Sequence, residues 1–382
     1  MRTKLHALQP ASAPIQRQLR SLHFGRASSG RKAYIQASLH ADEVPPMLVA
    51  QHLITMLRQI DAAGLIEGEI VLVPMANPIG LSQEMQGSLC GRFDLATGIN
   101  FNRHYQHLSA ALIPLLEPVL SADPVHNTVR VREASLSLLN ERAASPTLTE
   151  TERLKLTLQI LATDADLVLD LHCDTQAVMH VYTGTPLAEA ARPLAQLLGA
   201  QALLVALDSG DQPFDETVSR SWWELAAHFG PERPIPLACF AATVELRGEQ
   251  QVDDGLARDD ALALLQFLRL KGHLAEGPAL PLPALDLASR PLCEPTPLEG
   301  VEPMVAPHHG ILLFFKSPGD EVSAGEKVAE VVDPLTDQRT PLCARFAGRL
   351  FARVSRRYVS AGMRVCKVAG QQAFRSGKLL SL

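Results

Sequence analysis

Residues 33–60, AYIQASLHADEVPPMLVAQHLITMLRQI, decide the fold class. Ala33 to Leu39 is strand-like and ends at His40. From Pro46 to Ile60 the apolar residues recur at helical spacing. Pro45-Pro46 suits a helix opening, where an absent N–H costs no hydrogen bond. The same alternation continues outward along the chain. Glu69 to Pro74 (EIVLVP) is an apolar, β-branched run of the kind that fills a buried parallel strand. Thr149 with Glu152 fits a capping box that opens a helix over TERLKLTLQILA. Leu167 to Leu171 (LVLDL) reads as a buried strand ending at His172, and Leu237 to Leu246 (LACFAATVEL) as a further strand. This pattern predicts an α/β fold, a mixed and largely parallel sheet flanked by helices.

From about Leu274 the composition changes. EGPALPLPALDLASRPLCEPTPLEG is rich in Pro, lacks helical periodicity and reads as a linker or crossing segment over 276–298. Short strand-like pieces split by turn signals follow, with Gly recurring at Gly310, Gly319, Gly325, Gly348 and Gly362, which predicts an all-β domain over 299–382. That tail resembles a biotinyl/lipoyl-type β-barrel in its order A-P-x-x-G, G-D-x-V-x-x-G-x-x-V-A, A-G-x-L and V-x-x-G. The hairpin that would carry the modified lysine falls near Val332 to Thr340 (VDPLTDQRT) and has no lysine. A swinging-arm role is therefore not expected; a structural or oligomerisation role is, and a homo-oligomer is compatible with it.

Bulk properties narrow the partners. A chain of 382 residues exceeds what one core usually serves. Hydrophobic residues at 47% and charged residues at 20% are ordinary for a globular protein. A formal net charge of -6 without a long basic run argues against nucleic acid as a partner, and Arg353, Arg356 and Arg357 read as a solvated edge. The N-terminus lacks the apolar core of a signal peptide, and no run of roughly 18 uncharged apolar residues predicts a membrane span. The six cysteines are scattered and show no CxxC spacing, as in a cytoplasmic protein with reduced thiols.

The chemistry is carried by residues at strand ends. His40-Ala41-Asp42-Glu43 stands where a strand gives way to a helix, the edge at which open α/β sheets bind ligands. A His and a carboxylate three residues apart in such a turn can converge on one cation, and His172 can reach the same rim. Two imidazoles and a carboxylate leave a fourth zinc position for water. Glu245 lies in a buried strand, where an unpaired charge is expensive. It is the candidate general base; the alternative pairs it with Arg247. The long polar stretch Asn77 to Tyr105 contains Arg92, Asp94, Asn102 and Arg103. Guanidinium groups there suit a substrate carboxylate or a developing oxyanion; the alternative is a solvated loop. His104 and His107 read as surface histidines, His308-His309 as remote from the site, and Trp222-Trp223 as the cover of a helix face.

Taken as an ordered set, H40-A-D-E43, N77-P, R92, F-N102-R103, D170-L-H172 and V244-E245-L-R-G resemble the succinylglutamate desuccinylase/aspartoacylase family, a branch of the zinc carboxypeptidase-like hydrolases. The resemblance covers roughly residues 20 to 270, so 1–275 is expected to be the zinc hydrolase catalytic domain. It implies that His40, Glu43 and His172 bind one zinc and that Glu245 is the base. It also implies that Arg92 polarises the scissile carbonyl and that Asn102 and Arg103 grip the substrate carboxylate. Where the family commonly has D-L-N-R, this chain has N100-F-N-R103. The expected activity is hydrolysis of the N-acyl amide of a small acylated amino acid or related metabolite, a carbon–nitrogen bond other than a peptide bond. The rivals are a metallocarboxypeptidase acting on peptides and a catalytically inactive binding protein.

Overall fold

The computed structural model describes residues 1–9, 16–27, 30–277, 282–283 and 286–380. Part of the Pro-rich crossing segment, 278–281 and 284–285, lies outside them.

A nine-stranded sheet organises the chain. Its order is Arg2–Ala7, Gln18–Gly25, Glu69–Val73, Lys32–Ala37, Leu167–Asp174, Phe240–Gly248, His180–Gly184, Ala202–Ala206 and Pro295–Pro297. The four strands from Glu69–Val73 to Phe240–Gly248 are mutually parallel. His180–Gly184 runs antiparallel to its neighbour, and the first two strands add an antiparallel edge. The mixed, largely parallel α/β architecture read from the sequence is thus the one observed.

The central strands are buried on both faces, which is why their sequences are nearly continuous apolar runs. One face packs against helices Pro45–Ala62, Ala188–Leu198 and Asp254–Leu270. The other packs against Ser109–Leu116, Pro124–Ala143, Glu150–Ala162 and Phe214–Phe229. The capping box is present: Thr149 accepts from Glu152 N, and Glu152 accepts from Thr149 N at 2.8 Å. Trp222 is buried in the second of these cores, and the ring of Trp223 lies where a Cβ on Gly184 would stand.

Register places the chemistry. Gln36 pairs with Asp170 and Ala37 with Leu171, while His172 pairs with Glu245. His172 therefore lies inside its strand, which runs on to Asp174, and not at the strand end as the sequence suggested. The extension comes from continued pairing with Phe240–Gly248. The strand Lys32–Ala37 stops short of the predicted Leu39 because Ser38 turns into the left-handed region at φ 59°.

The C-terminal residues form two further antiparallel sheets. One holds Val301–Val305, Arg364–Ala369, Gly348–Arg353 and Glu321–Val322; the other holds Arg339–Cys343, Lys327–Val332, Gly310–Phe314 and Tyr358–Val359. They enclose their own apolar core, including Leu312, Val328, Val331, Leu350 and Val365. Gln176–Ala177, just past the central strand, pairs with Gly348–Arg353. A shared cluster that includes Leu204, Leu298, Phe351 and Leu379 joins the two halves. Leu335, 92% exposed, stands in the hairpin where a carrier lysine was sought.

Candidate active site

The turn after the first parallel strand is held from several sides. Ser38 N donates to Leu171 O at 3.1 Å, Ser38 Oγ to Glu43 O at 2.6 Å, and Ala41 N to Gly91 O at 3.1 Å. Gly91 lies so close that any Cβ there would collide with the backbone of Ala41 and Asp42. Asn77 Nδ2 donates to Leu39 O at 2.9 Å, which gives the Asn-Pro pair its place.

This frame aims His40 and Glu43 at His172. His40 Nδ1 is 2.8 Å from one oxygen of Glu43, and His172 Nδ1 is 2.8 Å from the other. Ligand atoms of the three residues lie within 4.8 Å of one another, the metal-like group found among the described residues. The far nitrogens face acceptors. His40 Nε2 is 2.8 Å from Asn100 Oδ1, and that oxygen also accepts from Asn102 N. His172 Nε2 is 3.0 Å from Asp170 Oδ2, which has no other partner. Ring protons on those Nε2 atoms would leave both Nδ1 lone pairs free to converge, with the Glu43 carboxylate, on one cation. Two imidazoles and one carboxylate are a donor set that suits zinc. Acceptors behind each ring are the usual outer support of metal-bound imidazoles.

Burial pushes His40 down to about 4, helped by the nearby Arg92 guanidinium. Burial alone would raise Glu43, but the imidazoles of His40 and His172 hold its carboxyl well below the usual range. Burial would lower His172, and the carboxylates of Asp170 and Glu43 outweigh it, raising the imidazole well above its ordinary value. Arg92 Nη1 is 3.1 Å from Glu43 Oε1 and 3.3 Å from His40 Nδ1.

Glu245 lies beside this cluster on the neighbouring strand. Burial, then the charge of Glu43, raises its carboxyl to about 8. Arg247 does not pair with it: the guanidinium turns to Asp260 at 3.2 Å, across an irregularity in strand register. Glu245 Oε2 is buried without a hydrogen-bond partner.

Asn102 accepts from Phe214 N at 2.9 Å, tying it to the start of a helix. Arg103 Nη1 donates to Asn102 O at 2.6 Å. Lys155 Nζ donates to Asn100 O at 3.1 Å and Arg103 O at 2.9 Å, so the loop is pinned from behind. His40, Glu43, Arg92, Asn102, Arg103, His172 and Glu245 all line one cavity. Asp94 is turned away, bonded to Thr97 and Thr151. His107 is engaged by Glu224 at 2.6 Å.

Sequence reasoning missed part of the cavity. Tyr182 comes from the antiparallel strand and is paired in register with Thr243, two residues before Glu245. Asp215, raised to about 7 by burial and then Asp170, opens the helix beside Arg103. Phe351, Lys367 and Leu379 come from the C-terminal part. No local motif marks these residues, because only tertiary pairing brings them to the rim.

Residues 29–270 match the model of the succinylglutamate desuccinylase/aspartoacylase catalytic domain. The chain belongs to this family. The family consists of desuccinylase- and aspartoacylase-type hydrolases of acylated amino acids. Among solved structures, a family member from Shewanella amazonensis is 26% identical, with 97% of this chain and 98% of that chain covered and a TM-score of 0.79. A related protein of Shewanella frigidimarina is 23% identical, with 96% of each chain covered and a TM-score of 0.81. The product-bound ectoine utilization protein EutE of Ruegeria pomeroyi is 15% identical, with 96% and 93% covered and a TM-score of 0.65. The last two show the shared fold alone. A comparison with curated proteins finds no match. Among the described residues, no helix is long and apolar enough to cross a membrane.

Proposed function

We propose that this family member is a zinc-dependent hydrolase of the N-acyl amide of a small acylated amino acid or related metabolite. The observation that carries the reading is the pair of imidazole Nδ1 atoms, each 2.8 Å from a different oxygen of Glu43, with a partnerless Glu245 oxygen beside them. His40, Glu43 and His172 would hold the ion. When bound, zinc supplies Lewis acidity and lowers the pKa of water at the site.

The remaining work falls to the chain's own residues. Arg103, with the amide of Asn102, grips the substrate carboxylate by charge-assisted hydrogen bonds. Arg92 faces the developing negative charge on the scissile carbonyl oxygen. Glu245 removes a proton from the attacking water. As the carbon–nitrogen bond breaks, Glu245 passes that proton to the leaving nitrogen, yielding a free acid and a free amine. Its lack of another hydrogen-bond partner suits this shuttle.

We assign 1–275 as the catalytic domain, 276–298 as the crossing segment and 299–382 as a small β domain. A cytoplasmic location fits the scattered free thiols.

Glu245→Gln keeps size and hydrogen bonding while removing the base. It should retain zinc at the wild-type level and lose roughly 100-fold or more in kcat on N-acyl amino acids. Substantial remaining turnover would remove Glu245 from the mechanism. Faster cleavage of short peptides than of N-acyl amino acids would favour a carboxypeptidase instead.

A further inference from the structure

The cavity has a second character away from its catalytic rim. Leu204, Leu298, Phe351 and Leu379, all nearly fully buried, belong to one apolar cluster and also line the cavity. Leu204 comes from the main sheet and the other three from beyond residue 297, so the wall exists only because the C-terminal part folds against that sheet.

The last described residues are tied down as a strap over this end. Leu379 N donates to Ser209 O at 3.0 Å, and Lys378 pairs with Asp211 at 2.7 Å. Arg375 Nη2 donates to Leu298 O at 3.0 Å and Leu379 O at 3.3 Å, while Arg364 Nη1 donates to Leu380 O at 3.0 Å. The loop that receives the strap is itself constrained. Gly210, Asp211 and Gln212 all have positive φ, and the backbone oxygens of the last two accept from His104 and Tyr105, next to Arg103. Such a run persists only where its surroundings enforce it. The strap is a fixed wall, and a fixed wall can measure what lies against it.

We infer that Leu379 is a specificity-determining residue, and that the acyl half of the substrate is an aliphatic chain whose length this side chain limits. The inference rests on the deacylase reading above. An apolar surface gains from each methylene it covers and gives nothing to a charge. Lys367, Arg364 and Arg375 line the same cavity: Lys367 pairs with Asp174 at 2.6 Å, and the two arginines donate to backbone oxygens. Arg375 Nε, buried without a partner, is the group a distal carboxylate would meet, and the N-succinyl substrate tests that contact.

The test uses the full zinc-loaded chain and N-acetyl, N-butanoyl, N-octanoyl and N-succinyl derivatives of the common amino acids. Wild type should prefer butanoyl to both acetyl and succinyl. Leu379→Ala should raise kcat/KM for octanoyl relative to butanoyl by about tenfold, chiefly through KM. Leu379→Phe should shift the ratio the opposite way, and thermal melts identify any variant that fails to fold. Calorimetry on Glu245→Gln protein, with and without each Leu379 change, reads the same preference without turnover. Hydrolysis with a chain-length profile indifferent to Leu379 overturns the inference and leaves the deacylase reading standing. The shift in binding without hydrolysis by the parent chain does the reverse. A preference for succinyl over butanoyl, or no binding at all, also overturns the inference.

Discussion

Below the His40–Glu43–His172 cluster lies a buried chain of polar residues that the strands alone would not demand. Tyr34 donates to Gln36 at 2.8 Å, and Gln36 Nε2 donates to Asp170 Oδ1 at 2.9 Å; Asp170 in turn stands behind His172. Gln36→Leu should therefore weaken zinc affinity about 10- to 100-fold in competition against a chelating indicator; unchanged affinity would show that Asp170 orients His172 without help. His180, fully buried, has Nδ1 2.8 Å from Val178 O, and burial lowers it to about 4. A histidine depressed in the folded state takes up its proton more readily when unfolded. Its contribution is whole above pH ~6.5 and drains away as pH falls toward 4, by roughly 3 kcal/mol. His180→Asn should flatten that part of the stability profile in denaturant titrations, and an identical slope would refute the assignment. At this scale the sequence was legible where a motif concentrated potential ligands, as at His40, Glu43 and His172, which the fold brings together. It was silent on Gln36, whose task depends on a cross-strand neighbour 134 residues away.

Elements with strong local signals could be read in advance. The helix Pro45–Ala62 and the strands over EIVLV and LVLDL declare themselves by proline placement, periodicity and β-branched runs. The helix Glu150–Ala162 declares itself by its cap. Thr149→Ala removes that cap and should cost about 1 kcal/mol by chemical denaturation. Because Lys155 of the same helix braces the Asn100–Arg103 backbone, a rise in KM accompanying the loss would mean that the helix start also sets the carboxylate grip. The edge strands were harder to see. Arg2–Ala7 is largely exposed and carries no apolar face, and Pro295–Pro297 joins the sheet from within a stretch whose composition reads as linker. Pairing partners, not local propensity, make these segments strands.

For the whole molecule, the nine-stranded sheet and the C-terminal sheets share one cavity. Lys367 pairs with Asp174 at 2.6 Å, two residues beyond His172. Lys367→Met would leave Asp174 among the carboxylates of Glu43 and Glu245 without its cation. Breaking such a half-buried pair should lower unfolding stability by about 3 kcal/mol; a change under a few tenths would mean that solvent already screens it. Composition separated the two parts of the chain, but the contribution of the second to the cavity was not legible, since Phe351, Lys367 and Leu379 sit in ordinary β-sheet and tail sequence. The central claim concerns the cation that His40, Glu43 and His172 are arranged to hold. Zinc titration of chelator-stripped protein, with N-acyl amino acid hydrolysis followed in the same samples, tests it most directly. Activity should be absent at the start and climb in proportion to bound metal until close to one zinc per chain. Full hydrolysis by the stripped protein, or failure to take up zinc, would contradict it.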